Sequence, residues 1–460
     1  MRYILDRQYA LRSWEGRPFA LAERNVVIPW KISRDDFIML KKCDGEQDLP
    51  YTPELQNLLD RGLCHPCQSD ERLTEWQKPR FYSNRCVPSI YLMITGRCNL
   101  NCLHCFNASD NNASADQFSL EDLDRLTDDA AATGVQGIWI TGGEPMIHPH
   151  FLEIVRMIYR KDMFVPVLVT NGMFLTDTML DELQSIGFKG KIMVSFDGIG
   201  HHDRMRQHVG AEKITIETIK RLIARNINIL VNMNLNHSNE DTFDQTLDCL
   251  DSLGVHSIRV IRTVETPRWK ENGGSDSMSP ADFYELSLAS MRNYMSKPHR
   301  MQVLYREFAC VYPKTHQYSI HPVVFEDEDY NPNTLSCGMV RQRIAIGANG
   351  EIYPCMQASG YLEKCNISFG NWYKEGLEKQ FTKSPYLDLA SIPVKVRHDE
   401  NDECCTCSYF KQCLGGCRMQ AMLTSGSING PDRIRCDFFK NGFKERIIEL
   451  ADQLGWQRRI

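Results

Sequence analysis

The chain has 460 residues, 42% of them apolar and 24% charged, and a formal net charge of −6. This length predicts two to four domains; no apolar run reaches the roughly 20 residues that cross a membrane, and no long basic run points to nucleic acid as a partner. Eighteen cysteines in so long a chain indicate metal binding rather than the disulfide framework of small secreted proteins. Residues 1–7 lack the apolar stretch of an export signal, so we expect a cytoplasmic protein.

Residues 1–72 are predicted to form a small separate domain in which short β runs precede two helices. The predicted elements are strands at 9–14 and 18–22, helices near 33–43 and 52–62, and a turn at 44–46. The Cys43-Asp44-Gly45 turn and the second helix, ending in Leu59-Asp60-Arg61-Gly62-Leu63, resemble the winged-helix modules that bind leader peptides in ribosomal-peptide modification systems. The resemblance implies a winged-helix-like leader-peptide-binding domain, whose sheet edge would gain a strand from the peptide; the alternative is a plain docking domain. The polar residues 73–88 are predicted to be a linker.

From residue 89, short apolar runs alternate with amphipathic helical patterns, which predicts a parallel α/β fold. The six predicted strands are Ser89–Thr95, Gly137–Thr141, Val165–Asn171, Lys191–Phe196, Asn228–Asn234 and His256–Ile261. Helices are predicted between them near 119–133, 149–162, 176–187, 211–226 and 239–253. An open sheet and a partial barrel both fit six such units, and in either fold ligands bind at the carboxyl ends of the strands.

Three cysteines follow the first predicted strand: Cys98, Cys102 and Cys105, spaced C-x3-C-x2-C. Thiolates hold iron–sulfur clusters, usually four to a [4Fe–4S] cube, so a cube held by three has one iron open to a small molecule. The spacing resembles that of radical S-adenosylmethionine (SAM) enzymes; a zinc site or three unrelated thiols are the alternatives. The resemblance selects a partial (β/α)6 TIM-like barrel over residues 89–305. It also implies that SAM binds the open iron and is cleaved to a 5′-deoxyadenosyl radical, which abstracts hydrogen from a substrate.

The ends of the second and third predicted strands carry polar motifs that match this family. Gly142-Gly143-Glu144 ends the second strand, and glycine lets backbone approach a ligand closely. The resemblance implies that Glu144 holds the SAM amino group and that Thr170 and Asn171, at the end of the third strand, face the active site. Ordinary turn chemistry is the alternative for the Asn-Gly pair.

Four further residues are expected near SAM by the same resemblance. Ser195 and Asp197, at the end of the fourth strand, would lie near the ribose, with turn chemistry again as the alternative. Arg206 would pair with the SAM carboxylate as a charge-assisted fork, unless it forms a solvated surface pair. His104 stands where the family usually has an aromatic residue that contacts adenine.

A second cysteine array fills the C-terminal part of the chain, in the order C-x12-G-x4-C, then C-x2-C-x5-C-x3-C, then a final cysteine. It resembles the SPASM domain, which carries two auxiliary [4Fe–4S] clusters. The resemblance implies an outer cluster on Cys404, Cys407, Cys413 and Cys436, and an inner cluster on Cys337, Cys355 and Cys417. A zinc ribbon would explain C-x2-C…C-x3-C alone. Cys310 is the candidate for the missing inner ligand; otherwise that iron is open.

These features predict a SPASM domain over 337–440, a bridging segment over 306–336 and a C-terminal helix over 441–460. Together with the leader-binding N-terminus they predict a maturase that forms a thioether or carbon–carbon cross-link in a ribosomally made precursor peptide. We expect three [4Fe–4S] clusters, SAM, and a flavodoxin- or ferredoxin-type electron donor, with no nucleic-acid or membrane partner. The general base is open, with Tyr353, Asp203 and Glu307 as candidates.

Two rival functions remain. In anaerobic sulfatase maturases, which form formylglycine, an aspartate directly follows the cysteine that matches Cys355, whereas this chain has Met356. A non-catalytic electron carrier or zinc scaffold would have no use for the SAM-binding motifs.

Overall fold

The computed structural model describes residues 1–68, 70–107, 116–320, 327–335 and 337–459. Residues 321–326 and 336 of the predicted bridging segment lie outside this part of the chain. Within it the strands form three sheets, of three, four and twelve strands.

The N-terminal region contains the two smaller sheets and two helices. Its elements are β1 Arg2–Leu5, β2 Tyr9–Glu15, β3 Arg17–Glu23, β4 Trp30–Lys31, α1 Arg34–Lys42, β5 Asp44–Asp48, α2 Pro53–Asp60, β6 Cys64–Pro66 and β7 Arg80–Arg85. The sheet orders are β5-β1-β6 and β4-β3-β2-β7. Both helices begin where the sequence predicts, because the hydroxyls of Ser33 and Thr52 accept the amides of Asp36 and Leu55 at 3.0 and 3.3 Å.

Two predictions for this region need correction. The segment 73–88 is more than a linker, because β7 pairs in parallel with β2 and completes its sheet. The predicted turn at 44–46 is the beginning of strand β5, which pairs with β1.

The large sheet is built from alternating strands and helices. The elements are β8 Ser89–Met93, α3 Leu120–Ala132, β9 Gly137–Thr141, α4 Phe151–Arg160, β10 Val167–Thr170, α5 Asp177–Ile186, β11 Lys191–Ser195, α6 His202–Arg206, α7 Ala211–Ala224, β12 Ile229–Leu235, α8 Phe243–Leu253, β13 Ser257–Arg262, α9 Pro267–Asn272, α10 Pro280–Met295 and β14 Gln302–Tyr305. All six predicted strands are present, and neighbours from β8 to β13 pair in parallel. The parallel run extends to β14, which the sequence analysis did not predict.

The C-terminal part continues the same sheet on both sides. Its elements are β15 Ala309–Tyr312, β16 Gln317–Ile320, α11 Gly338–Gln342, β17 Arg343–Ile346, β18 Ile352–Tyr353, α12 Ser359–Lys364, α13 Trp372–Thr382, α14 Pro385–Ala390, α15 Val394–Glu400, α16 Asp402–Cys405, α17 Phe410–Cys413, α18 Arg418–Ser425, α19 Arg433–Lys440, α20 Phe443–Gln453 and β19 Gln457–Arg458. Short 3₁₀ turns lie at Pro145–Ile147, Gly274–Asp276, Pro313–Thr315, Asp327–Asp329 and Met356–Ala358. Strand β17 pairs in parallel with β8, so the sheet order is β18-β17-β8-β9-β10-β11-β12-β13-β14-β15-β16-β19.

The N-terminal region docks on the large sheet through Trp14. Its indole Nε1 donates to the Thr133 carbonyl at 3.2 Å, and its ring stacks on Tyr82 at a centroid distance of 5.2 Å. Trp14 is buried and packs over Gly134, at the end of α3. In the described part of the chain, no helix has both the length and the apolar character needed to span a membrane.

Substituting Gly134 by alanine is expected to destabilise the protein more than the same change at Gly200. Both glycines have left-handed backbone, with φ of +80° and +76°, so each substitution strains the backbone by about 1 kcal/mol. A methyl group at 134 would also lie 2.5 Å from the Trp14 Nε1, whereas nothing lies within 4 Å of one at 200. We expect a further loss of about 1–3 kcal/mol for Gly134→Ala, measured as the free energy of unfolding in urea. Equal losses would contradict the docking contact.

Candidate active site

The cysteine loop after β8 lies directly against the glycine turn after β9. The Gly143 amide donates to the Thr95 carbonyl at 2.7 Å, and the Glu144 amide donates to the Arg97 carbonyl at 2.8 Å. A Cβ on Gly142 would lie 2.6 Å from the Thr95 oxygen, and one on Gly143 would overlap the Arg97 carbonyl. Only glycine permits this approach, so the two glycines position the cysteine loop.

The three cysteines of this loop pack together with Leu100 and Met173. Burial raises the pKa of Cys98 to about 12, so its thiol stays protonated at neutral pH unless a metal holds the thiolate. Among the described residues, no three His, Cys, Asp or Glu side chains converge closely enough to hold one metal ion.

Glu144 is fully buried, and its carboxylate holds the end of β10. Its Oε1 accepts the Thr170 hydroxyl at 2.9 Å and its Oε2 accepts the Asn171 amide at 2.8 Å. Burial raises the pKa of Glu144 to about 7, against the opposing effect of these hydrogen bonds. These bonds position the end of β10, and the expected contact of Glu144 with the SAM amino group stays a prediction.

Asp197 and Arg206 form a buried ion pair beyond the end of β11. The Arg206 Nε lies 2.7 Å from the Asp197 Oδ2, and the Asp197 Oδ1 accepts the Asn234 amide at 3.1 Å. Burial opposes ionisation, yet Arg206, with His104 and His202, holds the pKa of Asp197 below its usual range. Asp197 is fully buried and makes an ionic contact with Arg206, and its expected contact with the ribose stays a prediction.

Arg206 and His104, two of the residues expected near SAM, are both buried. Arg206 is buried rather than a surface residue; its Nη1 donates to the Cys102 Sγ at 3.6 Å, and its Nη2 has no hydrogen-bond partner among the described residues. Burial lowers the pKa of His104 to about 4, so its imidazole is neutral. Both side chains face the same cavity.

That cavity, called the central cavity here, has a volume of about 530 Å³. It is lined by side chains from each strand of the parallel run β17, β8, β9, β10, β11, β12, β13 and β14, which means that the sheet curls around it as an open barrel. Seven of the nine predicted SAM-binding residues line it: Gly142, Gly143, Thr170, Asn171, Ser195, Arg206 and His104.

The four cysteines predicted to hold the outer cluster lie together. Burial raises the pKa of Cys404, and the nearby thiols of Cys436 and Cys407 add to the rise. Burial likewise raises the pKa of Cys413 to about 12, with Cys436 again contributing. The side chain of Arg397 is fully buried and electrostatically close to Cys404 and Cys413.

The three cysteines predicted to hold the inner cluster form a second group. Burial raises the pKa of Cys355, to which the Cys337 thiol contributes. Burial raises the pKa of Cys417 to about 12, with Asp432 and then Cys355 contributing. Cys337, Cys355 and Cys417 line the central cavity, as do Cys98, Cys102 and Cys105. The two sets of three thiols therefore open onto one space.

Cys310 is not brought to this group. It lies on β15, where its Sγ accepts a hydrogen bond from the Gln302 side chain at 3.2 Å. Its other close polar neighbours are Tyr312 and Arg459, and it does not line the central cavity. The geometry therefore gives no support to Cys310 as the fourth inner ligand.

All three candidate bases have structural partners. The Asp203 carboxylate accepts the amides of Gly210 and Glu212 at 2.6 and 2.7 Å. The Tyr353 hydroxyl donates to Glu363. Glu307 lies 3.6 Å from the Arg306 Nε. Its carboxylate contributes to the raised pKa of the Cys417 thiol, so Glu307 lies near the inner thiols.

Sequence reasoning missed several residues that line the cavity: Tyr91, Trp139, Arg259, Arg306 and Arg343. The sequence does contain an indication of two of them. Arg259 is a charged residue within the apolar run of β13, and Trp139 is a large side chain with an indole N–H within β9.

Comparisons with known proteins agree with this geometry. The radical SAM superfamily matches residues 92–250, and the SPASM iron–sulfur cluster-binding domain matches residues 337–408. An AdoMet-dependent heme synthase of Methanosarcina barkeri is 27% identical, over 72% of this chain and 91% of that protein. The antilisterial bacteriocin subtilosin biosynthesis protein AlbA of Bacillus subtilis is 25% identical, over 78% of this chain and 72% of that protein.

A solved structure shares the fold. Streptococcus suis SuiB bound to its precursor peptide SuiA is 14% identical, with a TM-score of 0.65, and the match covers 94% of this chain and 99% of that one. The chain is a radical SAM enzyme with a SPASM domain. These two domains imply [4Fe–4S] clusters and SAM as cofactors.

Replacing Cys413 by alanine is expected to remove about four irons per chain, because one thiolate fewer leaves the outer cluster without its ligand set. Iron and sulfide analysis after anaerobic reconstitution measures this. Cys365→Ala is the matched control, since Cys365 is exposed and outside both thiol groups. Unchanged iron content in Cys413→Ala would contradict the outer ligand set.

Arg206→Gln is expected to destabilise the protein by about 3–5 kcal/mol, because it leaves the Asp197 carboxylate buried without its cation. Arg204→Gln, two residues earlier, removes an exposed ion pair to Asp276 at 2.7 Å and should cost less than about 1 kcal/mol. Urea unfolding of the metal-free protein compares the two, and similar losses would show that the buried pair is not a major contribution to stability.

Proposed function

We propose that this enzyme modifies a ribosomally made precursor peptide by forming a thioether or a carbon–carbon cross-link. The observation that carries the proposal is that the SAM-type thiols, Cys98, Cys102 and Cys105, and the inner thiols, Cys337, Cys355 and Cys417, line the same central cavity. When bound, the first cluster and SAM supply a 5′-deoxyadenosyl radical that abstracts hydrogen. A substrate in the cavity would then lie beside an acceptor for the electron that bond formation releases.

The cofactor set proposed is three [4Fe–4S] clusters and SAM, with electrons from a flavodoxin- or ferredoxin-type donor. The outer set offers four thiols, which is the usual number for a cube. The inner set offers three, and its members face the cavity. We therefore propose that one iron of the inner cluster is open to the cavity, where it could take a substrate thiolate.

The N-terminal region is proposed to be a winged-helix-like domain that binds the leader of the precursor. Strand β5 is at an edge of its sheet, so its outer side can accept a further strand. The fold shared with SuiB covers 94% of this chain, and therefore includes most of this region.

Of the two alternatives, one has specific support and the other does not. The match to the heme synthase spans 91% of that relative's length, so a tetrapyrrole is the second candidate substrate. The sulfatase-maturase alternative is disfavoured by Met356, which is buried and carries no base.

The decisive experiment is anaerobic reconstitution followed by reduction in the presence of SAM. We expect 5′-deoxyadenosine to form, and a Cys98→Ala/Cys102→Ala/Cys105→Ala variant to form none. Coexpression with short peptides encoded beside the gene should yield a product that has lost a pair of hydrogen atoms per new bond. Failure to cleave SAM with all clusters loaded would overturn the enzymatic proposal, and turnover of a porphyrin instead of a peptide would favour the second candidate.

A further inference from the structure

The wall of the central cavity carries cationic side chains but no carboxylate. Among the described lining residues there is no Asp, Glu or Lys, whereas five are arginines: Arg206, Arg259, Arg306, Arg343 and Arg418. Arg206 pairs with Asp197 behind the wall, Arg306 lies beside Glu307, and Arg418 donates to the carbonyls of Ile392 and Pro393. Among the described residues, neither Arg259 nor Arg343 has a carboxylate partner of this kind.

The side chain of Arg343 is held in place by an aromatic ring and by one hydrogen bond, which leaves part of its guanidinium group free. It lies on β17, with its guanidinium carbon 3.4 Å from the centroid of the Trp139 ring, and its Nε donates to the Ser89 hydroxyl at 3.3 Å. The stacked ring fixes the plane of the guanidinium. Its two terminal nitrogens make no hydrogen bond within the described structure, so the fork that suits a carboxylate is free.

Arg259 reaches the same region from β13. Its Nε donates to the Asn232 Oδ1 at 2.7 Å and its Nη2 contacts the Met193 Sδ at 3.6 Å, while the Nη1 has no partner in the described chain. Burial, and then the like charge of Arg306, lowers the pKa of Arg259 to about 10, and burial lowers the pKa of Arg343 to about 10. Both remain cationic at neutral pH.

Unpaired cations in a partly desolvated space are costly and favour the binding of an anion. The nearby Trp139 Nε1 is also buried without a hydrogen-bond partner among the described residues, so it adds a further donor beside the two arginines. Arg343 and Arg259 together therefore form a cationic patch with free donors on the cavity wall, which suits an anionic group of a ligand.

We propose that Arg343 and Arg259 bind a carboxylate of the substrate, and that the residue presented to the cavity is an acidic side chain or its direct neighbour. This rests on the proposed peptide-modifying function. The fork of Arg343 would take the carboxylate oxygens side by side, and Arg259 Nη1 would complete the site.

The test is equilibrium binding of two small probes that differ only in charge, N-acetylglutamate α-amide and N-acetylglutamine α-amide, to the reconstituted enzyme with SAM. Ligand-observed saturation-transfer NMR measures both dissociation constants without turnover. We expect the glutamate probe to bind at least about tenfold more tightly, as for a charge-assisted bidentate contact. Equal binding of the two probes overturns the proposal, whether or not the enzyme cleaves SAM.

Variants then assign the preference to the two arginines. Arg343→Gln and Arg259→Gln should each reduce the preference to about threefold or less, and Arg343→Lys should restore it only in part, because lysine lacks the fork. Arg125→Gln is the matched control, since Arg125 also lies over a tryptophan, Trp372 at 5.3 Å, but on the exposed surface. A retained preference together with shifted auxiliary-cluster potentials in the two glutamine variants would assign the arginines to the cluster and overturn the proposal.

Discussion

The site depends on a backbone contact that tolerates no side chain. The loop of Cys98, Cys102 and Cys105 rests on Gly142 and Gly143, where added Cβ atoms would meet the carbonyls of Thr95 and Arg97. Glycine-rich turns at ligand sites are usually explained by the approach of the ligand. Here the same residues first allow one loop of the protein to approach another.

Buried polar contacts extend this support around the rim. Glu144 joins the turn after β9 to the end of β10 through Thr170 and Asn171, and Arg206 joins the region beyond β11 to the Cys102 thiol. Removing any one of these contacts leaves a buried polar or charged group without its partner. This costs more free energy than the loss of a surface contact. Glu144 thereby holds Thr170 and Asn171, which line the cavity, although it is not itself among the described lining residues.

The sequence was most informative where the signal is local in the chain. Strand positions in the large sheet and the helix caps at Ser33 and Thr52 follow from periodicity and side-chain chemistry, and the two auxiliary thiol groups follow from spacing read through a family resemblance. Contacts that depend on orientation were not predictable: the bonds of Glu144 to the end of β10 and the ion pair of Asp197 with Arg206 do not follow from their motif positions, and Cys310 lies beside Gln302 rather than beside the inner thiols. Strands β7 and β14 were missed because each is short and gains its stability from a partner distant in sequence.

The pairing of β17 with β8 has a consequence for biogenesis. Ser89 and Arg343 are in register across the two strands, so the wall beside the cysteine loop is completed by residues that leave the ribosome about 250 positions later. At a synthesis rate of about 5–20 residues per second, this leaves the thiols without their final enclosure for more than ten seconds. Delivery of the iron–sulfur cluster that we predict for Cys98, Cys102 and Cys105 would thus have a window during translation, before the second half of the chain closes around them.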